Sequence, residues 1–254
     1  MLTIVVPMAG RGSRFTVAGY SLPKPLIRVG GPAMIELVIE NLRPRCEHRF
    51  VFLCLQEHLD TYPLEALLRR RCAACEIVPI SAVTQGAACT VLLAKGHIDN
   101  DDGLMIANSD QWVDHSIDDY LDAMDHDDAD GLIMTMTATD PKWSFIRADE
   151  DGWVTEVVEK RPISHEATVG IYNFRHGCDF VAAAERMIEA GERSNGEFYV
   201  APVYNQLISS GRRIAYRNVG AEGEGMHGLG TPPDLERFLS LPVVDRARAL
   251  VCGA

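Results

Sequence analysis

Three cations, Arg11, Arg14 and Lys24, crowd the beginning of a 254-residue chain whose formal net charge is −12, and Gly10 and Gly12 stand among them. An apolar run, Leu2 to Val6, leads into Pro7-Met8-Ala9-Gly10-Arg11-Gly12-Ser13-Arg14, and Pro23-Lys24-Pro25-Leu26 follows. A buried strand that ends in a Gly-rich turn leaves backbone N–H groups free to face an anion, and fixed cations beside it add charge. The chemistry this suggests is a grip on a polyphosphate, with backbone contacts from Met8 to Ser13. An ordinary tight turn with solvated cations is the alternative, but cations clustered in an acidic background point to an anion.

The spacing belongs to neither of the two best-known phosphate loops. Gly10-x-Gly12 lacks the third glycine of the dinucleotide fingerprint, and no Gly-Lys-Ser/Thr follows at P-loop spacing. Two further runs extend the set. Thr84-Gln85-Gly86-Ala87-Ala88 opens a predicted helix, Ala87 to Lys95, so that Gln85, which both donates and accepts hydrogen bonds, suits either a polar helix entry or the edge of a nucleobase. Asn108-Ser109-Asp110 ends a predicted strand that begins at Leu104. An Asp there serves as a turn residue or helix cap, or as one of the few carboxylates that Mg²⁺ takes alongside phosphate oxygens.

These residues need a scaffold that brings them to one edge. Apolar β-prone runs recur at Leu2–Val6, Phe50–Leu55, Glu76–Ile80, Leu104–Ala107 and Gly131–Met136, with amphipathic segments such as Met34–Leu42 and Leu64–Arg71 between them. That alternation predicts an α/β fold with a mostly parallel sheet and helices on both faces, a three-layer sandwich. Ligands on such sheets bind beyond the carboxyl ends of the strands, where the Gly-rich loop and Asp110 both fall. The second half predicts antiparallel additions: Phe145–Arg147 and Trp153–Val158 flank Asp151-Gly152, a hairpin signal, and Thr168–Phe174 reads as a strand. Helices are expected at Phe180–Ala190, Tyr199–Ser209 and from Asp234, and a strand at Arg213–Arg217.

Composition narrows the function classes. The balance of 24 basic against 36 acidic residues excludes an extended nucleic-acid footprint, while leaving room for a small anion in a local basic pocket. With no internal repeat or low-complexity linker, one domain over 1–254 is expected. The N-terminal apolar run is too short for a membrane span and lacks signal-peptide features, so a cytoplasmic protein is expected. Seven cysteines cannot all pair within the chain, and Cys54 and Cys89 lie in apolar runs, which suits packed thiols; Cys72-x-x-Cys75 has no second pair at zinc spacing. The apolar face of Leu235–Leu241 could pair two copies in a homodimer or pack onto the chain's own core.

Taken together, Gly10-x-Gly12-x-Arg14 and Pro23-Lys24-Pro25-Leu26 resemble the opening of the sugar-phosphate-type nucleotidylyltransferases. The likeness extends over nearly the whole chain, through Glu159-Lys160-Arg161-Pro162, Val169-Gly170-Ile171-Tyr172, Asn195-Gly196-Glu197-Phe198-Tyr199 and Gly228-Leu229-Gly230-Thr231. It implies a Rossmann-like nucleotide-diphospho-sugar transferase fold, also called GT-A-like. Residues 1–136 would mainly carry a nucleoside triphosphate and 137–254 a phosphorylated acceptor. By resemblance, Gly10, Gly12 and their neighbours Met8, Ala9, Arg11 and Ser13, with Gln85, Gly86, Ala87, Asn108 and Ser109, bind nucleotide. Arg14 and Lys24 are the catalytic cations, and Asp110 holds Mg²⁺.

Lys160 takes the acceptor's phosphate, an assignment that Arg161 shares because it is inserted where the family has proline. Glu159, Gly170, Glu197 and Tyr199 complete that half, with Trp143 and Ser144 bordering it. One departure is plain. Where many members carry a second metal-binding Asp, this chain has Gly228 or Leu229, with Glu224 or Glu222 the available substitutes. That ending, with Pro141-Lys142-Trp143-Ser144, is similar to a branch of bacterial cytidylyltransferases tied to capsule and surface-polysaccharide synthesis, some acting on non-sugar acceptors such as phosphoglutamine. The resemblance thus implies CTP as the first nucleotide to test. Two rival classes remain: a GT-A-like glycosyltransferase, although Asp110-Gln111-Trp112 lacks the second Asp of its metal motif, and a non-catalytic nucleotide sensor.

Overall fold

Alternating side chains along the first strand set the architecture. A computed structural model describes residues 1–253. In chain order the strands are β1 (Leu2–Met8), β2 (His48–Leu55), β3 (Glu76–Ile80), β4 (Gly103–Ala107), β5 (Gln111–Val113), β6 (Gly131–Thr137), β7 (Ser144–Ala148), β8 (Val154–Glu159), β9 (Glu166–Phe174), β10 (Ile214–Glu222) and β11 (Gly225–Gly228). Along β1 the side chains of Ile4, Val6 and Met8 enter one core and that of Val5 the other. In β2, Phe50, Phe52 and Cys54 join the first core while Val51, Leu53 and Leu55 join the second. Both sheet faces are therefore covered, and a strand buried on both faces reads as a continuous apolar run.

The sheet runs β3-β2-β1-β4-β9-β6-β10-β11-β5, with the β7–β8 hairpin attached through β7 to β9. Pairing along this path is parallel except that β9 is antiparallel to both β4 and β6, and β5 is antiparallel to β11. The expected mostly parallel mixed sheet with helices on both faces is what forms. Helix Met34–Leu42 covers the first face with Ile35, Val38, Ile39 and Leu42. Its start is closed by the Glu36 carboxylate, which accepts the Ala33 N–H at 2.8 Å, and Pro44 prevents its continuation. Helix Gly177–Glu189 covers the second face through Phe180, Val181, Ala184 and Met187.

Several elements differ from their sequence expectation for local reasons. The helix predicted from Ala87 to Lys95 stops at Leu92 and resumes as Lys95–Ile98, because Ala94 N–H tightens onto Val91 C=O at 2.9 Å and Gly96 weakens the next turn. Pro202 has no N–H, so Tyr199–Ser209 is a 3₁₀ turn, Ala201–Val203, followed by helix Tyr204–Ser209. The helix expected from Asp234 starts at Pro232, where Thr231 caps it, and is followed by another, Val243–Cys252. Leu235 and Phe238 are buried against that helix in the chain's own core, so the apolar face does not stand free for a second copy.

All seven cysteines are unpaired. Cys54, Cys72 and Cys75 pack into the first core, and burial pushes the Cys54 thiol up to about 12 and that of Cys72 up to about 11, as expected of thiols acting as small hydrophobes. Among the described residues, no helix is long and apolar enough to cross a membrane.

Candidate active site

The carboxyl ends of β1 and β4 and the middle of β9 meet at one edge. After Met8 the chain leaves the sheet through Ala9 and Gly10; Met8 and Ala9 are buried, so only their backbone is available there. Gly12 takes φ +61° as the residue before helix Ser13–Val17, and a Cβ at that position would lie 3.2 Å from the Lys24 Cβ. The loop is thus folded directly against the lysine. Arg11 and Arg14 are exposed and, among the described residues, neither pairs with a carboxylate. Arg11 and Ser13 line an open groove of about 1210 Å³ that runs toward His58 and Tyr62.

Lys24 sits in a 3₁₀ turn, Lys24–Leu26, and its ammonium lies 2.8 Å from Asp110 Oδ2. Both side chains keep partial exposure, 20% and 25%. The two residues read from separate motifs are therefore one ion pair, at the mouth of the loop. Leu229 N–H donates to Asp110 C=O at 2.8 Å, and a Cβ at Gly230 would lie 2.6 Å from Asp110 Oδ2, so the chain near its second glycine motif packs tightly behind this carboxylate.

Asp110 Oδ1 has no protein partner among the described residues, and one free carboxylate oxygen beside the Gly-rich loop fits Mg²⁺, which takes one or two carboxylates and fills the rest of its shell with phosphates and water. No cluster of three or more His, Cys, Asp or Glu that could hold a metal occurs among the described residues. Glu224 in particular stands away from Asp110. In the β5–β11 ribbon Asp110 faces Leu229, while Glu224 lies exposed beyond Gly225, which pairs with Asp114 at the other end. Glu222 is held 2.7 Å from Lys142.

A cleft of about 780 Å³ adjoins this edge, lined by Asn108, Ala87, Gly170, Trp143, Lys160 and Tyr199 among others. It brings the two halves of the chain together. Gly170 has φ +85°, and a Cβ there would fall 2.1 Å from Asn108 Nδ2, so only glycine lets Asn108 lie across β9. Lys160, also lining the cleft, has φ +54° and its ammonium donates to the Tyr199 hydroxyl at 2.6 Å while lying 4.7 Å from the ring centre. That bond, before other causes, raises the Lys160 pKa. Glu197 is exposed beside Tyr199.

Arg161 turns away: it is exposed and 3.7 Å from Glu156. Glu159 lies in the wall with Ser144 donating to its carboxylate, and burial raises its pKa despite that bond and nearby Lys160.

Two cleft features had no place in the sequence assignment. Lys142 lines the wall, 4.9 Å from the Trp143 ring centre, its only signal being its position beside Trp143. A hydroxyl pair, Thr168 and Tyr172 at 2.9 Å, lies on β9 in the same lining. At the Thr84–Ala88 loop, Gln85 and Ser194–Phe198 are stitched together. Phe198 N–H donates to Gln85 C=O at 2.9 Å and Ala88 N–H to Phe198 C=O at 3.0 Å, which Gly86 permits, since a Cβ there would lie 2.4 Å from Phe198 O. Arg193, far away in sequence, donates to the Gln85 side chain. Ser109, next to Asp110 in the chain, is buried.

Comparison with known proteins is consistent with this geometry. A profile of the nucleotidyl transferase family matches residues 4–215. The bifunctional protein GlmU of Methanococcus aeolicus is 26% identical over 192 residues, 74% of this chain but 44% of that protein, so the chain spans less than half the length of this curated relative. Among solved structures, the nucleoside-diphosphate-sugar pyrophosphorylase of Vibrio cholerae superposes with a TM-score of 0.82 at 27% identity, covering 94% of this chain and all of that one. The inositol-1-phosphate CTP transferase of T. maritima shares the fold with a TM-score of 0.73 at 15% identity, covering 98% of this chain and 95% of its own.

Proposed function

The chain belongs to the nucleotidyl transferase family, and we propose that it joins a nucleoside triphosphate to a phosphorylated small-molecule acceptor, releasing pyrophosphate. The observation that carries this reading is one continuous edge on which the Lys24–Asp110 pair and Gly-rich loop stand beside a cleft containing Lys160 and Lys142. An acceptor phosphate oxygen attacks the α-phosphorus, and the bond from that phosphorus to the bridging oxygen of pyrophosphate breaks. The attacking group is already an anion at neutral pH, so no protein base is required. The protein's work is to align two polyanions and offset their repulsion. Two unit charges about 4 Å apart interact by roughly 4 kcal/mol at an effective dielectric near 20, so each fixed cation matters.

In this reading the backbone from Met8 to Ser13 holds the triphosphate, with Arg11 and Arg14 meeting the departing pyrophosphate and Lys24 the α-phosphate. Lys160 holds the acceptor phosphate, with Tyr199 and Trp143 orienting it. Asp110 is the residue that would hold Mg²⁺, which supplies charge neutralisation when bound. Residues 1–136 act as the nucleotide half and 137–254 as the acceptor half of one domain. CTP is the proposed nucleotide, and a building block for surface polysaccharide the proposed product; both rest on the likeness of Pro141–Ser144 and of the Gly228–Thr231 ending.

The test is pyrophosphate release with Mg²⁺ across CTP, UTP, dTTP, GTP and ATP, against sugar 1-phosphates and phosphorylated amino acids, choline and glycerol. Release that needs both partners supports the reading. Transfer of a sugar from a nucleotide sugar, or nucleotide binding without turnover across the panel, counts against it.

A further inference from the structure

Arg193 and Gln85 lie 108 positions apart, yet the guanidinium donates through Nη2 to Gln85 Oε1. The same guanidinium is fixed twice more: Nη1 donates to Gly196 C=O at 3.0 Å, and its central carbon lies 4.1 Å from the centre of the Phe198 ring, itself buried. The turn that carries it is closed by reciprocal backbone bonds between Ser194 and Glu197 at 2.9 and 3.0 Å. Phe198 in turn is bonded to both sides of Gly86. The exposed arginine is thus held on three sides, by its own turn at Gly196 and Phe198 and by the Gln85 side chain, and Phe198 ties that turn to the Gln85 loop.

The chemistry of that contact removes an ambiguity. A guanidinium has donors and no acceptor, so the end of the Gln85 amide that meets Arg193 must be its oxygen. The NH₂ group then faces the other way, and among the described residues it has no partner. A glutamine free to turn can meet a donor or an acceptor; one fixed in this orientation offers donors alone. At the ring nitrogen cytosine presents an acceptor, N3, whereas uracil and thymine present N3–H; O2 accepts in all three bases and O4 in uracil and thymine, so a donor discriminates where it meets N3, and there it favours cytosine.

We propose that Arg193 is a positioning residue for base selection: it fixes the Gln85 amide with its NH₂ outward and thereby favours cytosine over uracil. This rests on the reading of Gln85 as the contact to the base. Arg193 stands apart from the residues assigned to the two phosphates and contacts Gln85, so its effect is expected on the choice of nucleotide.

The experiment is calorimetric titration of the whole chain with CTP and with UTP, each with Mg²⁺ and without acceptor, in wild type, Gln85→Ala, Arg193→Met and Arg193→Lys. Methionine keeps the apolar stem over Phe198 and removes the donors. Wild type is expected to bind CTP more tightly than UTP. Arg193→Met should shrink that ratio about tenfold, the worth of one hydrogen bond, with the melting temperature of the protein unchanged. Arg193→Lys, which keeps a donor and loses the planar fork, should fall between the two. Gln85→Ala should abolish the preference.

An unchanged ratio in Arg193→Met overturns the positioning role, while a lost preference in Gln85→Ala leaves the base contact standing. If Gln85→Ala also keeps the wild-type ratio, the base contact itself is wrong and the role of Arg193 falls with it. Equal binding of CTP and UTP by wild type overturns the proposal directly.

Discussion

The two ends of the proposed site are made of different material. The proposed nucleotide end, the Gly-rich loop, is backbone and exposed cations: Gly10 has nothing within 4 Å of where a Cβ would stand, and Arg11 and Arg14 reach solvent. The proposed acceptor end, the cleft beside it, is packed side chains, with Ser144 on Glu159, Lys160 on Tyr199 and Lys142 against Trp143. A triphosphate is the same whichever base it carries, so N–H groups and charge suffice to hold it. An acceptor must be told from its competitors, and that takes side chains whose rotamers are fixed by neighbours.

The contrast can be broken most forcefully at Lys24. Lys24→Ala is expected to lower kcat for pyrophosphate release by about a hundredfold to a thousandfold, the usual cost of removing one group that stabilises developing charge. Arg14→Ala should lose activity on a similar scale and leave the melting temperature unmoved, because nothing in the fold leans on its side chain. Unaltered kinetics in both variants would show that the charge lies elsewhere.

Glycine substitutions divide the two ends by stability. At Gly170 the positive φ costs about 1–2 kcal/mol for any L-residue and overlap with Asn108 about 1–3 more, so Gly170→Ala should destabilise by roughly 3 kcal/mol in denaturant titrations. Gly10→Ala, in open space, should change stability by less than about 0.5 kcal/mol while raising the KM for the triphosphate. Equal effects on stability would erase the distinction.

Within the acceptor end, Lys160→Ala should raise the acceptor KM about tenfold or more, whereas Arg161→Ala, whose partner is Glu156 outside the cleft, should leave it within about twofold. The smallest effect is on pH dependence. Burial raises the Glu159 pKa, so the folded state disfavours the charged carboxylate. The penalty is absent at acid pH, where the group is protonated folded and unfolded, and grows as pH rises through the raised value. Glu159→Gln should therefore increase the melting temperature at neutral pH, and the increase should vanish below the ordinary carboxyl range.

The same division decided what could be read in advance. Backbone features leave a local mark in sequence: a strand, two glycines and a proline-flanked lysine spelled out the loop, and apolar runs spelled out the sheet. β5 and β11, three and four residues long, are too short for a period-2 pattern to emerge, and they are the strands that place Asp110 against Leu229. Side-chain partnerships across long separations leave no such mark. Arg193 meets Gln85, and Lys142 meets Glu222, only in the folded chain, and Glu224, offered by the sequence as a substitute metal ligand, lies at the far end of the ribbon from Asp110.

The most direct test of the account is a pyrophosphate-release assay in which CTP and a phosphorylated acceptor are supplied together and separately, with Mg²⁺ present. Release is expected only when both are present, in equal amount to the nucleotide-linked product. Release from CTP alone, or none with any pair while CTP binding is measurable, would contradict it.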